Sequence, residues 1–375
     1  MQLVWKAYSM VFFLMILLAV SVSGSDFCRP GEFNAEYLNK RNTAAVNGIF
    51  VILVLLSHYA QYADFGGVYD VPYLGLREHL NQLVVATFMF YSGYGMTEAL
   101  RSKGNEYVRK IPKKFWQLLL RFDLALVLYL IANAVLGIRY PLDQTLLAFT
   151  TWTAIGNSNW YITAILVLYV ILYISFGLCL AGGNNVKRRY IAVVLTFVLT
   201  TGAIYIQIIL GRPEYCYDTM LLLPLGCLYS EARPKIERFV KRNDGVYLLT
   251  MSAAAAIYMF TYNHRWDYGI IVFSIWGVAF ISLVLLVTMK ITIYNGFLEW
   301  TGKHVFGIYI LQRLPMTVLE QLGLIESHKY MSLTAVIIIT FAMAEYFQKY
   351  SDRLLKGIEY RLMAAGRNFQ KQEEA

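Results

Sequence analysis

The feature that most constrains this chain is a succession of apolar segments, each about 17 to 22 residues long, separated by short polar stretches. That length carries an α-helix across ~30 Å of hydrocarbon. A soluble chain of 375 residues would divide into about two or three domains and carry about 25% charged residues. Here only 15% are charged, 58% are hydrophobic and the mean hydropathy is +0.49. The expected fold is all-α, a polytopic transmembrane helix bundle.

Charge in the loops sets the expected topology. The runs 101–114, 184–189 and 231–244 and the tail after Tyr350 are rich in Lys and Arg and are expected inside. The stretches 63–79, 137–143, 211–218 and 263–269 carry few and are expected outside. Ten core helices follow, at 45–62, 81–100, 115–137, 160–180, 190–210, 217–231, 246–262, 269–290, 304–322 and 331–349. The apolar but broken segment 140–158 joins neighbours that need opposite directions. It is expected at the outer surface or as a re-entrant piece. Residues 7–24 could be a secretory signal, but that would leave 25–44 outside, against the direction the next helix needs. They are read as an eleventh helix with a short N-terminus outside. The divisions are 1–44 (extra helix and cytoplasmic linker), 45–350 (membrane domain) and 351–375 (basic, amphipathic cytoplasmic tail). The expected location is the bacterial plasma membrane, among membrane lipids. The net charge of +9 lies in these topogenic runs and does not point to nucleic acid. Four scattered cysteines, Cys28, Cys179, Cys216 and Cys227, form no CxxC and no metal-like cluster.

Within "GIFVILVLLSHYAQY" an imidazole, His58, falls about four residues from the outer end of its helix, roughly 6 Å deep. An ionisable group there is costly and points to function; the bland reading is an interfacial ring in an aromatic belt beside Tyr59 and Tyr62. Arg313, in "IYILQRLPM", is placed mid-span and must face the protein interior. It is either an ion pair, with Asp123 a candidate partner, or an acceptor-binding group. Arg109, Lys110, Lys113, Lys114 and Arg121 could hold phosphates, although inside-positive topology explains most of them. His264, Arg265 and Trp266 in an outer loop are candidate acceptor contacts beside the reading of an ordinary polar loop. Ser92 lies about 10 Å deeper than His58, too far for an activated Ser–His pair at ~3 Å; Ser92, Gly93 and Gly95 are read as packing.

Taken in order, "SHYAQY", "FMFYSGYGM", the basic run into "KKFWQLLLRFD", "NWYITAILVLY" and "LEWTGKHVFGIYILQRLPM" resemble the membrane-bound acyltransferase type 3 family, O-acyltransferases of extracytoplasmic glycans. The resemblance covers about residues 37–350. The family's first helix has an Arg, ten intervening residues and a His to which catalysis is attributed; the His falls on His58. Ser92 to Tyr94 match its "SGY", 109–114 its basic inner loop, and Gly302, Lys303, Ile308 and Tyr309 its Gly–Lys and Ile–Tyr element. Two departures stand out. Asn47 replaces the Arg, on the same helical face as His58 but without its charge. No Glu follows Trp160, where many members have one.

The resemblance implies transfer of an acyl group, expected to be acetyl, from acyl-CoA to a hydroxyl of a glycan or glycolipid acceptor. His58 would be general base, since an imidazole titrates at ~6.5, near working pH. No metal is expected. Two other classes stay open: a transporter or flippase of a glycan-linked lipid, and an inactive acyltransferase-like partner. Acceptor, acyl chain and oligomeric state are not encoded legibly.

Overall fold

The computed structural model describes residues 9–265, 267 and 269–373, with side chains as far as Arg361. The chain is an all-α bundle in which seven helices are long and apolar enough to cross a membrane. The longer helices are α1 (Met10–Val22), α2 (Lys40–Tyr59), α3 (Val71–Leu80), α4 (Ala86–Lys103), α5 (Ile111–Leu136), α6 (Leu142–Ala148), α7 (Trp160–Leu180) and α8 (Val186–Ile209). They continue as α9 (Leu222–Val240), α10 (Asp244–Asn263), α11 (Gly269–Lys290), α12 (Gly296–Lys303), α13 (Val305–Leu311), α14 (Arg313–Gln321) and α15 (Lys329–Glu373). Each of the ten expected core helices is present, the ninth as α13 followed by α14.

Local chemistry marks the boundaries. Asn39, Asn185, Asn243 and Asn295 each precede a helix and accept a backbone N–H of its first turn with the side chain, as N-caps do. Gly137, in the left-handed region at φ 71°, closes α5.

Two contacts between backbones set the bundle. A Cβ on Gly48 would sit 2.1 Å from the Leu298 carbonyl oxygen, and one on Gly302 1.8 Å from that of Ala44, so α2 and α12 touch main chain to main chain. Gly93 and Gly226 do the same for α4 and α9, against the carbonyls of Leu223 (2.0 Å) and Phe90 (2.1 Å). Gly93 thus has the packing role expected of it, whereas Gly95 is exposed with nothing near a virtual Cβ.

Stretches expected on one side do gather at one end of the bundle. Arg77, Tyr215 and Arg265, from three of the stretches expected outside, line one hollow with Gly156 of the broken segment, at what we call the His58 end. At the opposite, basic end, Asn184 donates to the carbonyl of Arg101 (3.1 Å) and Arg189 pairs with Glu231 (2.8 Å).

Three further features complete the frame. α1 runs between the two ends, with Met10 N donating to Asp70 Oδ1 (3.1 Å) and Asn295 Nδ2 donating to the Val20 carbonyl (2.9 Å). It is the N-terminal helix expected beside the ten core helices, 13 residues long as described. Within the stretch read as a linker, Ser25–Phe27 (β1) pairs antiparallel with Ile291–Ile293 (β2), in the register Asp26 to Thr292. Finally, residues 351–361 continue α15 and lie against α5, joined by Arg121–Asp352 (2.6 Å) and Lys113–Glu359 (2.8 Å).

Candidate functional site

His58 occupies the last turn of α2 and is half-buried. Its Nδ1 lies 2.8 Å from Nε2 of Gln312, which also donates to the Tyr309 carbonyl at 3.0 Å. Gln312 is fully buried, and its Oε1 has no partner among the described residues. It stands at the joint between α13 and α14 because Pro315 has no N–H to offer the Leu311 carbonyl, which interrupts the helical ladder there. The second ring nitrogen, Nε2, has no hydrogen-bond partner among the described residues. Tyr309 flanks the ring, centroids 6.1 Å apart.

The ring forms part of the wall of a cavity of about 700 Å³ at the His58 end. Arg313 lines it too. Its Nε donates to Ser158 Oγ (2.8 Å), its Nη2 to Gln61 Oε1 (2.6 Å) and its Nη1 to Tyr62 OH (3.4 Å). The ion-pair reading of Arg313 with Asp123 is therefore wrong: Asp123 Oδ1 is buried with no partner among the described residues. Nor is Arg313 mid-span. It opens α14, the residue directly after His58's partner Gln312, and points among Gln61, Tyr62 and Ser158.

Three arginines line the cavity. Arg265 pairs with Glu78 at 2.7 Å. Arg77, on α3, makes only a long contact to Ser57 Oγ, 3.4 Å. Neither Arg77 nor Arg313 has a carboxylate partner among the described residues. Beyond Arg265 a second hollow of about 540 Å³ shares Asn81, Gln82 and Tyr215 with the first. There Asp218 is buried, its Oδ1 without a partner among the described residues, and burial pushes its carboxyl well above the usual range.

The broken segment 140–158 supplies the wall opposite α2. After α6 it folds back irregularly, pinned by Asn133 Nδ2 to the Ile155 carbonyl (3.0 Å), Thr153 Oγ1 to the Gln144 carbonyl (2.6 Å) and Asn159 Nδ2 to the Thr151 carbonyl (2.6 Å). Side-chain amides and hydroxyls here satisfy a backbone that no helix satisfies. Thr151, at φ 65°, makes the turn.

The remaining candidates are scattered. His264 is not part of the cavity wall; its Nδ1 lies 2.8 Å from the Phe260 carbonyl and its ring stacks on Phe260. Trp266 lies outside the described residues. Asn47 sits about three turns deeper on α2, its Oδ1 buried and unpaired, and is not part of the cavity wall either. The five basic residues stand at the opposite end. Lys110 pairs with Glu106, Lys113 with Glu359 and Arg121 with Asp352, while Lys114 Nζ donates to Tyr107 OH at 2.5 Å. Arg109 is exposed and has no partner among the described residues. The cysteines are free, and no group of His, Cys, Asp and Glu among the described residues would hold a metal.

Sequence reasoning missed Gln312, Arg77 and Ser158. The one available signal was at Gln312, an uncharged amide inside an apolar run two residues before a Leu–Pro pair. A family model described as an acyltransferase domain matches residues 45–344. The comparison with curated proteins returned no match, and neither did that with solved structures.

Proposed function

From the premise that the chain belongs to the membrane-bound acyltransferase type 3 family, we propose that it moves an acyl group, acetyl in the simplest case, from acyl-CoA to a hydroxyl of an extracytoplasmic glycan or glycolipid, with His58 as general base. The observation that carries the reading is an imidazole, in the wall of a cavity of about 700 Å³, whose one nitrogen is held by a buried amide and whose other nitrogen has no partner among the described residues.

In this scheme the acceptor oxygen attacks the thioester carbonyl carbon, a C–O bond forms and the C–S bond breaks. The hydroxyl proton passes to Nε2 of His58 and from there to the departing sulfur. The base form of the ring holds its own proton on Nδ1, facing Gln312. A half-turn of the amide presents Oε1 to that proton and gives up the contact with the Tyr309 carbonyl; an amide's two ends occupy the same space. The donor's phosphates dock at the basic end, with Arg109 best placed of the five basic residues because no partner among the described residues occupies it. The His58 end then faces outward and the C-terminus inward, as the loop charges argue.

The test is His58→Ala in the full-length protein, followed by transfer of radiolabelled acetyl from acetyl-CoA to envelope glycans. Loss of transfer by a factor of about 10² to 10⁴, with an unchanged amount of folded protein, is the expected result. Undiminished acetylation would overturn the role of His58, and a change confined to translocation of glycan lipid would return the transport reading.

A further inference from the structure

The cavity around His58 is unbalanced in charge. Among the described residues Arg77, Arg265 and Arg313 line it against one carboxylate, Glu78, and that carboxylate is already taken by Arg265 at 2.7 Å. Arg313 uses three of its five N–H donors among the described residues, and only on neutral oxygens, those of Ser158, Gln61 and Tyr62. Arg77 has a single long contact to a hydroxyl. Both are half-buried. A partly desolvated guanidinium is costly without an anion, and its planar fork matches carboxylate and phosphate oxygens in particular. Among the other buried or half-buried arginines, Arg101, Arg121, Arg189 and Arg233 each have a carboxylate within 4.0 Å, while Arg188 and Arg212 donate to the backbone carbonyls of Cys179 and Trp152. At the cavity the chain leaves the place open, on two elements, α3 and α14, that both bring positive charge to bear on His58.

We propose that the acceptor is anionic: a carboxylate or phosphate group on it is held by Arg77 and Arg313 while a neighbouring hydroxyl meets His58. This rests on the acyl-transfer reading above and names its substrate class. Neutral sugars bind the same cavity poorly, because they leave both guanidiniums without a counter-charge.

Binding, which needs no turnover, tests it. Thermal unfolding of the full-length protein in uncharged maltoside micelles is followed against glucuronate, glucose 6-phosphate and glucose at matched ionic strength. At least one anionic sugar should raise the melting temperature of wild type, while glucose should not. Arg77→Gln and Arg313→Gln should each weaken half-saturation by about tenfold or more, and Arg313→Lys should recover part of it. Each variant's own melting temperature without ligand shows whether it has folded. Response to glucuronate alone assigns a carboxylate, and response to glucose 6-phosphate alone assigns a phosphate. Equal responses to glucose, no response to either anion, or a response that survives both Gln variants overturns the proposal. The same titration in phosphatidylglycerol nanodiscs separates the two sources of oxyanion. Binding lost there gives the site to the lipid headgroup and overturns the assignment to the acceptor. His58→Ala should keep the anion response, so that loss of acyl transfer and loss of anion binding are read separately.

Discussion

Two groups of arginines, one at each end of this bundle, are held in opposite ways. At the basic end Arg189 and Arg101 are closed into a network: Glu231, its side chain 2% exposed, receives Arg189 at 2.8 Å and Arg101 at 3.6 Å, and Arg101 also donates to the Ser230 carbonyl. At the His58 end Arg77 and Arg313, unlike Arg265 with its Glu78, meet only neutral oxygens among the described residues. The difference separates a structural use of charge from a binding use. A pair made within the chain fixes helices to one another and leaves nothing for a ligand. A guanidinium held in place by hydroxyls and amides keeps its charge for something that arrives.

The contrast can be broken by mutation, and the largest effect is expected at the closed network. Glu231→Ala leaves Arg189, its side chain 9% exposed, buried without a counter-charge. That should cost about 3–5 kcal/mol and appear as a lower melting temperature in detergent; an unchanged melting temperature would mean that water replaces the carboxylate and that the network is not closed. A smaller effect, on turnover and not on folding, is expected at Gln312. Gln312→Leu removes the group that orients the ring and should lower kcat by about tenfold to a hundredfold while leaving KM for the acyl donor in place. Gln312→Glu sharpens the point. A carboxylate beside Nδ1 stabilises the protonated imidazole, so a higher pH is needed to free the base, and the acid limb of the pH–rate profile should move upward. A limb that stays put would remove Gln312 from the proton's path. Least of all is expected from Asp352→Ala. Its pair with Arg121 has side chains 40% and 33% exposed, and such pairs are worth about 0–1 kcal/mol. A large loss of stability there would show that the α5–α15 contact is as closed as the Glu231 network.

Much of the frame was legible because hydrocarbon imposes a length and loop charge imposes a side; no core helix was missed. His58 was legible for the same reason, as an ionisable group in an apolar run. The parts that build a site around it were not. Segment 142–159 has no period to read: its backbone is satisfied by side chains of Asn133, Gln144, Thr153 and Asn159 across turns that only the folded chain brings together. Ser158 and Arg77 looked like ordinary loop residues, since nothing local distinguishes a serine that holds an arginine of another helix. Three-residue strands such as Ser25–Phe27 and Ile291–Ile293 are too short for alternation to show. The supposed Arg313–Asp123 pair failed because a position counted along a helix does not give its direction. Pro315 breaks the ladder at Gln312, and Arg313 leaves toward the loops.

The touching main chains of α2 and α12 bear on the site from a distance. Gly48 lies ten residues before His58, roughly 15 Å along the helix axis, and Gly302 precedes Gln312 by the same count on the other side. With no side chain between them at that crossing, the spacing of imidazole and amide is set by the covalent dimensions of the backbone and not by packing that drift in sequence could alter. The cavity's far wall, built of loop, is free of that constraint. Variation there can refit the chamber to a different acceptor while the imidazole keeps its aim.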